Sequence, residues 1–343
     1  MRNFIKHKLT SIYKYEFWPF WLFYIPAYFY GAFLALKARS LTYYTAANPG
    51  MRYSGAFGYS KFHVIEQIDH KYKPRTILVN YQGEVSDIRS RVEAEFDYPV
   101  ILKPDIGERG KMVEKINMAY ELKNYFEKAE SGDYIVQEFV DLPIELGIFY
   151  HKSSNHNAAI SSILVKKFLL IEGDGESTLE ELIDSNVRAY KRRDYLRKKY
   201  CSRLSEVIGK NVQLPMEPIG NHNRGTEFLN GEHINDPQLT KVFEDVASSI
   251  DGFYYGRFDL KVSDIDDLKN GININVFEVN GVNSEPAHIY DQNINILNAY
   301  RSVFYHMDIM YEISKENQKR GHKLASPIQY YRDMYRYLVL NKI

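Results

Sequence analysis

The chain has 343 residues, 45% of them apolar, and its 44 basic and 44 acidic residues cancel to no net charge. A chain of this length can bury a large core in two lobes, and the absence of a positive balance argues against a nucleic-acid partner. Cys201 is the only cysteine, which excludes an intrachain disulfide and permits a reducing, cytoplasmic location.

An aromatic run comes first along the chain. Residues 17–36 contain no charged side chain, and ten of these twenty residues are aromatic. The length would cross a bilayer, but Pro19 and Pro26 interrupt the run, and aromatic side chains suit the headgroup interface. We therefore predict a bent, membrane-like segment at the inner leaflet, on the cytoplasmic face; packing of the aromatics on the protein body or on a partner subunit is the alternative. The basic residues that flank the run are Arg2, Lys6, Lys8, Lys14, Lys37 and Arg39.

A short apolar strand, residues 100–102, then ends in Lys103 and leads into a glycine loop. Gly107 and Gly110 let backbone amides curl over an anion, while Lys103 can reach a phosphate as a point charge. A solvated strand end is an equally simple interpretation of Lys103.

The next strand-like stretch, residues 134–150, carries polar groups that could hold a nucleoside. Gln137, Glu138 and the backbone of Val140 lie where an adenine edge could be read, and Glu145 where a ribose hydroxyl could bind. The alternative is that an alternating strand shows polar residues on its open face.

Two strand-like stretches near residues 257 and 280 supply the most informative group. Arg257 and Asp259 are two positions apart, so a strand places both on one face, and Glu278 and Asn280 follow on the neighbouring stretch. Two carboxylates and one amide oxygen suit magnesium better than zinc or calcium. The turn between these strands, residues 263–271, is predicted to be a hairpin tip.

Taken in order, these motifs resemble the ATP-grasp superfamily, most closely its carboxylate-amine ligases of the D-alanine–D-alanine ligase type. The matching motifs run from residue 73 to residue 290 and include residues 171–183, which look like a helix-opening segment of peptide-forming members. The resemblance implies an α+β ATP-grasp fold, in which two subdomains grip ATP, with two Mg²⁺ ions, or Mn²⁺ in their place.

Site roles follow from the resemblance. It implies that Arg257 stabilises an oxyanion and that a second phosphate lysine comes from the strand containing Lys166 and Lys167. Adjacent strand residues face opposite ways, so only one of the two points inward, and we favour Lys167. The remaining groups that the resemblance implies are Lys103, Gly107, Glu108, Arg109 and Gly110 for phosphate, Gln137, Glu138, Val140 and Glu145 for the nucleoside, and Asp259, Glu278 and Asn280 for metal.

Two loops are candidates for substrate recognition, because the chain departs there from the D-alanine ligases. Glu285 could hold an ammonium group or act as the base that deprotonates it. His288 is equally a catalytic candidate or a satisfied histidine at a helix start, and the loop at residues 220–231 is equally an ordinary connection. The polar candidates in the two loops are His222, Arg224, Asn283, Glu285 and His288.

The predicted organisation has four parts. They are a basic and aromatic segment (1–50), a pre-segment with the small lobe (51–140), a large lobe with the metal site (141–310) and a helical tail (311–343). The N-terminal α/β domain of the family is predicted to be reduced or absent. The tail is predicted to begin a helix at Ser326 and Pro327 and to dock through Ile328, Tyr331, Met334, Tyr335, Leu338 and Leu340.

The predicted function is an ADP-forming ligase that joins a carboxylate to an amine through an acylphosphate. In the family that the motifs resemble, the N-terminal α/β domain contributes to the substrate pocket. Its predicted reduction in this chain points to a small-molecule or lipid-linked substrate reached at the membrane surface. The alternatives are a kinase that uses the same nucleotide cradle and a membrane-attached nucleotide-binding scaffold. The sequence does not decide between a monomer and a homodimer.

Overall fold

The computed structural model describes residues 13–107, 110–153 and 157–341, and antiparallel sheets organise this part of the chain. Its strands are β1 (Thr76–Tyr81), β2 (Val100–Pro104), β3 (Glu114–Ile116), β4 (Gly132–Glu138), β5 (Ile144–His151), β6 (Ala159–Lys167), β7 (Leu170–Glu172), β8 (Gln213–Pro215), β9 (Glu227–Asn230), β10 (Tyr255–Val262) and β11 (Asn275–Asn280). Its α-helices are α1 (Phe20–Phe23), α2 (Ile25–Ala38), α3 (Lys61–Glu66), α4 (Ser86–Glu95), α5 (Ala119–Phe126), α6 (Leu179–Ser185), α7 (Val187–Tyr190), α8 (Arg193–Lys199), α9 (Pro237–Ser248), α10 (Ile265–Asn270), α11 (Ile296–Lys319) and α12 (Pro327–Asn341). The predicted α+β class is confirmed.

The smaller lobe is built on a four-stranded sheet in the order β1-β4-β2-β3, with every neighbouring pair antiparallel. One face packs on α4 and α5, where Val92, Leu102, Leu122 and Val136 are fully buried. Because side chains alternate along a strand, Lys103 points to the other face, toward the larger lobe.

The larger lobe is built on a five-stranded antiparallel sheet in the order β11-β10-β5-β6-β9. On one face, Ile148 of β5 and Phe258 of β10 are buried with Phe243 of α9 in the main core. The other face is divided: Phe149 is covered by α2 and α11, whereas Glu145 and its neighbours form a polar half. That polar half carries the candidate site.

A smaller unit, residues 169–216, follows β6. The ribbon β7-β8 and the helices α6 to α8 enclose their own apolar cluster. Helix α6 begins with a capping box in which the Thr178 hydroxyl accepts from the Glu181 N–H and the Glu181 carboxylate accepts from the Thr178 N–H. The predicted helix opening in this segment is therefore confirmed.

The aromatic run forms α1 and α2, which lie against α11. Phe23, Ala27 and Leu34 are buried there, and the Phe23 ring stacks on Tyr300 at 5.1 Å between centroids. Among the described residues no helix is both long enough and apolar enough to cross a membrane. The buried side of α1 and α2 therefore packs on the protein body, which was the alternative interpretation of the aromatic run. The opposite side is exposed, and its association with a membrane stays a prediction.

The predicted hairpin between the two metal strands is confirmed, because β10 and β11 are consecutive strands that pair antiparallel. Its connection differs from the prediction, since residues 265–270 form the short helix α10, which Gly271 (φ +69°) ends, in place of a tight turn at Asn270 and Gly271. The predicted docking face of the C-terminal tail is wrong. Helix α12 begins at Pro327 as predicted, but Ile328 is 83% exposed and Tyr335 69% exposed, whereas Tyr330 is buried. The helix docks through Tyr330 because Tyr44, Tyr53 and Phe57 surround that ring.

Candidate functional site

Four polar side chains lie together on β10 and β11. The antiparallel register pairs Asp259 with Glu278 and Arg257 with Asn280. Arg257 Nη2 lies 3.0 Å from Asp259 Oδ2, and Asn280 Nδ2 donates to the same oxygen at 2.9 Å. The predicted grouping on adjacent strands is confirmed, while the metal-binding role stays a prediction.

A glycine on the neighbouring strand leaves room for this group. Gly147 of β5 is the register partner of Asp259. A Cβ atom at that position would lie 3.0 Å from Arg257 Cδ and 3.3 Å from Asp259 Oδ1. The arginine can therefore lie flat across the sheet only because residue 147 has no side chain.

Three lysines surround the carboxylates. Lys61 Nζ, at the start of α3, lies 2.7 Å from Glu278 Oε1. Lys166 Nζ of β6 lies 3.1 Å from Asp259 Oδ1. Each predicted metal carboxylate thus has a lysine neighbour, and Lys103 approaches from the smaller lobe.

Lys103 joins the two lobes. Its buried Nζ donates to Gln137 Oε1 at 3.0 Å within the smaller sheet and to the carbonyl of Phe277 at 2.9 Å in the larger sheet. Burial lowers the pKa of Lys103 from 10.5 to about 8, although Glu278 partly offsets the effect. The ammonium therefore loses its proton more readily than an ordinary lysine.

The site also shifts the pKa values of its other ionisable groups. Burial acts to raise the pKa of Glu278, but Lys61 and Lys103 outweigh it and lower that pKa to about 2. Burial acts to lower the pKa values of Lys166 and Arg257, yet Asp259 raises both above their ordinary values. The carboxylate of Glu278 and the two cations are therefore charged at neutral pH.

The structure decides between the two adjacent lysines of β6. Lys166 pairs in register with Glu145 and points into the site, 2.9 Å from Glu145 Oε1. The Lys167 side chain is 61% exposed and lies 3.6 Å from Glu227 on the edge strand β9. Our preference for Lys167 is wrong, because the register with β5 turns Lys166 inward.

The predicted adenine contacts separate onto two faces of β4. Gln137 is buried, and its Nε2 donates to Thr76 Oγ1 at 3.0 Å. Glu138 is exposed, and its carboxylate accepts from the Arg75 N–H at 3.4 Å. Gln137 alone of the two side chains shares the side of Lys103.

Val140 and Glu145 already have protein partners. The Val140 carbonyl accepts from Lys261 Nζ at 2.9 Å, and Glu145 accepts from Lys166. A Cβ atom on Gly220 would lie 2.4 Å from Glu145 Oε1, so the loop at that glycine lies against the carboxylate. Their roles toward adenine and ribose stay predictions.

The glycine loop is held by the loop that follows the smaller unit. Arg224 Nη2 donates to the carbonyls of Gly110 and Val113, at 3.4 and 2.9 Å. Gly110 has φ +70°, which favours glycine. The predicted phosphate contacts Glu108 and Arg109 lie outside the described residues. Arg224 thus contacts the glycine loop, and its predicted role in binding substrate stays a prediction.

His222 lies against the N-terminal segment. Its ring is 6.5 Å from that of Phe17 and 5.6 Å from that of Tyr290. Its Nε2 lies 3.8 Å from Glu16, a carboxylate that also pairs with Arg188 at 2.5 Å. Burial acts to raise the pKa of Glu16, but His222 and Arg188 lower it overall. The segment therefore closes one side of the loop predicted to bind substrate.

Glu285 lies beside the arginine of the site. Arg257 Nη1 donates to the Glu285 carbonyl at 3.2 Å, and the Tyr290 hydroxyl donates to Glu285 Oε1 at 3.2 Å. Burial, followed by Glu285, raises the pKa of Tyr24 well above its ordinary value, so the N-terminal segment also reaches this carboxylate. Asn283, in the same loop, is exposed.

His288 has a serine at each ring nitrogen. Nδ1 lies 2.5 Å from Ser162 Oγ and Nε2 3.5 Å from Ser302 Oγ. Burial lowers its pKa to about 4, so the ring is neutral at physiological pH. This environment is the one expected of a satisfied structural histidine.

The donor set fits magnesium more readily than a transition metal. Within the described ranges no group of three or more His, Cys, Asp or Glu side chains is placed to hold a metal ion. Asp259 and Glu278 are nevertheless neighbours, and Asn280 adjoins them. Mg²⁺ commonly uses one or two carboxylates and completes its shell with water and substrate phosphates.

Sequence reasoning missed several residues of the site. Lys61 and Tyr24 come from segments more than 200 residues before their partners, and no local motif marks them. Strand alternation could have identified Gly147 and Lys261 from the sequence. Gly147 lies two positions from Glu145 and Lys261 two positions from Asp259, so each is on the same face as that carboxylate.

Comparison with known proteins gives structural likenesses only. No family model matches the chain, and no curated protein matches it. A bifunctional glutathione synthetase from Pasteurella multocida is 12% identical with a TM-score of 0.37, over 73% of this chain and 38% of that chain. The VanG D-Ala:D-Ser ligase from Enterococcus faecalis is 11% identical with a TM-score of 0.41, over 76% and 60%. The D-alanine–D-alanine ligase from Bacillus anthracis is 13% identical with a TM-score of 0.40, over 74% and 64%.

The match spans less than two thirds of each of these three structures.

Proposed function

We propose that the protein is an ATP-dependent ligase that joins a carboxylate to an amine through an acylphosphate, with ADP and phosphate as products. One observation carries the proposal. The buried ammonium of Lys103 extends from the smaller sheet to the Phe277 carbonyl, beside the cluster formed by Asp259, Glu278 and Arg257. Cations from both lobes and two carboxylates therefore meet where the two sheets contact each other.

The cluster has the charges that a metal–triphosphate complex needs. Lys61, Lys103 and Lys166 would bind phosphate oxygens, while Asp259 and Glu278 would turn from the lysines to a divalent cation. Asn280 would complete the set through its amide oxygen. A Mg²⁺ ion bound there would neutralise phosphate charge during transfer.

The first step is phosphoryl transfer. An oxygen of the substrate carboxylate attacks the terminal phosphorus, the bond to the bridging oxygen breaks, and ADP leaves. The lysines hold the phosphoryl group in line for attack, so that catalysis is mainly positioning and charge stabilisation.

The second step forms the amide. The amine attacks the acyl carbon, its proton passes to Glu285, and the C–O bond breaks to release phosphate. Arg257 remains protonated and can stabilise the oxyanion of the tetrahedral intermediate. The Glu285 backbone carbonyl accepts from Arg257, so the residue proposed as the base is a neighbour of the proposed oxyanion group, which supports the ligase over a kinase.

Hydroxylamine trapping tests the proposal. The protein is incubated with ATP, Mg²⁺ and fractionated cell extract, and ADP, new amides and hydroxamates are followed by mass spectrometry. A ligase gives ADP with an amide, and hydroxylamine diverts the acylphosphate to a hydroxamate. ADP with a phosphorylated hydroxyl compound and neither amide nor hydroxamate would show a kinase instead.

A further inference from the structure

One side of helix α2 is apolar and exposed along its whole length. The successive exposed positions include Phe29, which is 76% exposed, and Leu36, which is 79% exposed. At 100° per residue these positions fall on one side of the helix, and Trp21 of α1 is exposed at its start. We name this surface the aromatic face, formed by Trp21, Ile25, Tyr28, Phe29, Phe33 and Leu36.

The aromatic face belongs to a helix that is fixed to the protein body. Leu34 and Ala35 are buried on its opposite side, and the Tyr30 hydroxyl donates to Asp308 of α11 at 2.7 Å. Exposed apolar patches of this kind on a well-packed element mark interaction sites.

The chemistry of the face fits a lipid surface. Its Trp, Tyr and Phe side chains are those that favour the membrane–water interface. No acidic residue occurs from residue 17 to residue 65, whereas Lys37 and Arg39 are exposed at the end of the helix and Lys14 is exposed before it. This charge balance complements anionic headgroups.

Helix α2 is too short to cross the hydrocarbon core of a bilayer along its axis. Its 14 residues span about 21 Å, less than the roughly 30 Å of a hydrocarbon core. We propose that the aromatic face docks α2 in the plane of an anionic lipid surface, with Lys14, Lys37 and Arg39 near the headgroups.

Docking has a consequence for substrates that rests on the proposed function. The ring of Phe23, at the end of α1, lies 5.9 Å from that of Tyr290, and the Tyr290 hydroxyl donates to Glu285 at the predicted amine end of the site. The acceptor end therefore adjoins the buried side of the segment that carries the aromatic face, and an amphiphilic carboxylate or amine is the substrate class that fits this arrangement.

Vesicle co-sedimentation of the full chain tests the docking. We expect binding to phosphatidylcholine vesicles that contain phosphatidylglycerol, weaker binding to phosphatidylcholine alone, and a decrease with added salt. The double variant Phe29→Ser/Phe33→Ser should reduce binding at least about tenfold, because two apolar side chains no longer enter the interface. The matched control is Tyr120→Ser/Tyr195→Ser, which alters two exposed aromatics elsewhere and should bind as the parent does.

Two outcomes would overturn the inference. One is equal vesicle binding by parent and Phe29→Ser/Phe33→Ser; the other is no vesicle binding, with a dimer by light scattering that this variant dissociates. Thermal melting checks that each variant folds. ATP binding, measured by calorimetry on the same samples without vesicles, reports on the proposed function separately.

Discussion

Lys103 gives the sharpest test of the nucleotide site, because its protonation is predicted to limit binding. With a pKa of about 8, the lysine is mostly charged at pH 7 and mostly neutral at pH 9 in the free protein. If the nucleotide binds only the ammonium, the affinity for Mg²⁺–ATP should fall about tenfold between those pH values. The lowered pKa also costs the free protein about 3 kcal/mol of unfolding free energy at neutral pH. That cost is full below pH 8 and is relieved as pH rises toward 10.5, so the free protein should become more stable over that range.

Isothermal titration calorimetry at several pH values measures the effect. Lys103→Arg keeps a charge throughout and should remove the fall in affinity above pH 8, whatever its affinity at pH 7. Lys167→Gln changes a lysine outside the site and should leave the pH dependence unchanged. Lys261→Gln tests whether a second lysine, whose pKa is also lowered by burial, contributes to the pH dependence of the affinity. A flat affinity from pH 7 to pH 9 in the parent, or the same slope in Lys103→Arg, would refute the assignment.

Three further substitutions test neighbouring parts of the site. Glu278→Gln should reduce ADP formation by about 100-fold or more, since it removes a charge proposed to hold the metal. The control Asp264→Asn keeps a helix N-cap and should retain the parent rate. Equal losses in the two variants would argue against the metal site. Gly147→Ala should lower kcat about tenfold or more in a folded protein, because its Cβ displaces Arg257, and an unchanged kcat would show that the arginine has other room. His288→Gln should stay within a few-fold of the parent rate, since the ring is neutral and bound to serines, and a loss of about 100-fold in the assay would restore a catalytic role.

Local sequence patterns determined the parts of the site that lie within one strand or one hairpin. The period of two along β10 placed Arg257 and Asp259 on one face, and the following strand brought Glu278 beside them. Residues 171–183, which resemble a helix-opening segment, likewise contain the start of α6 at Leu179. Such features follow from backbone geometry over a few residues, so the printed sequence was sufficient for them.

Tertiary structure decided which side chains meet across the fold. Alternation showed that only one of Lys166 and Lys167 faces the site, but the hydrogen-bond register with Glu145 chose Lys166. The pairing of Lys61 with Glu278 and the docking of α12 through Tyr330 joined segments far apart in sequence. Local periodicity fixes the face on which a side chain lies, whereas its partner depends on how helices and sheets pack, and that packing is set by the burial of the whole core.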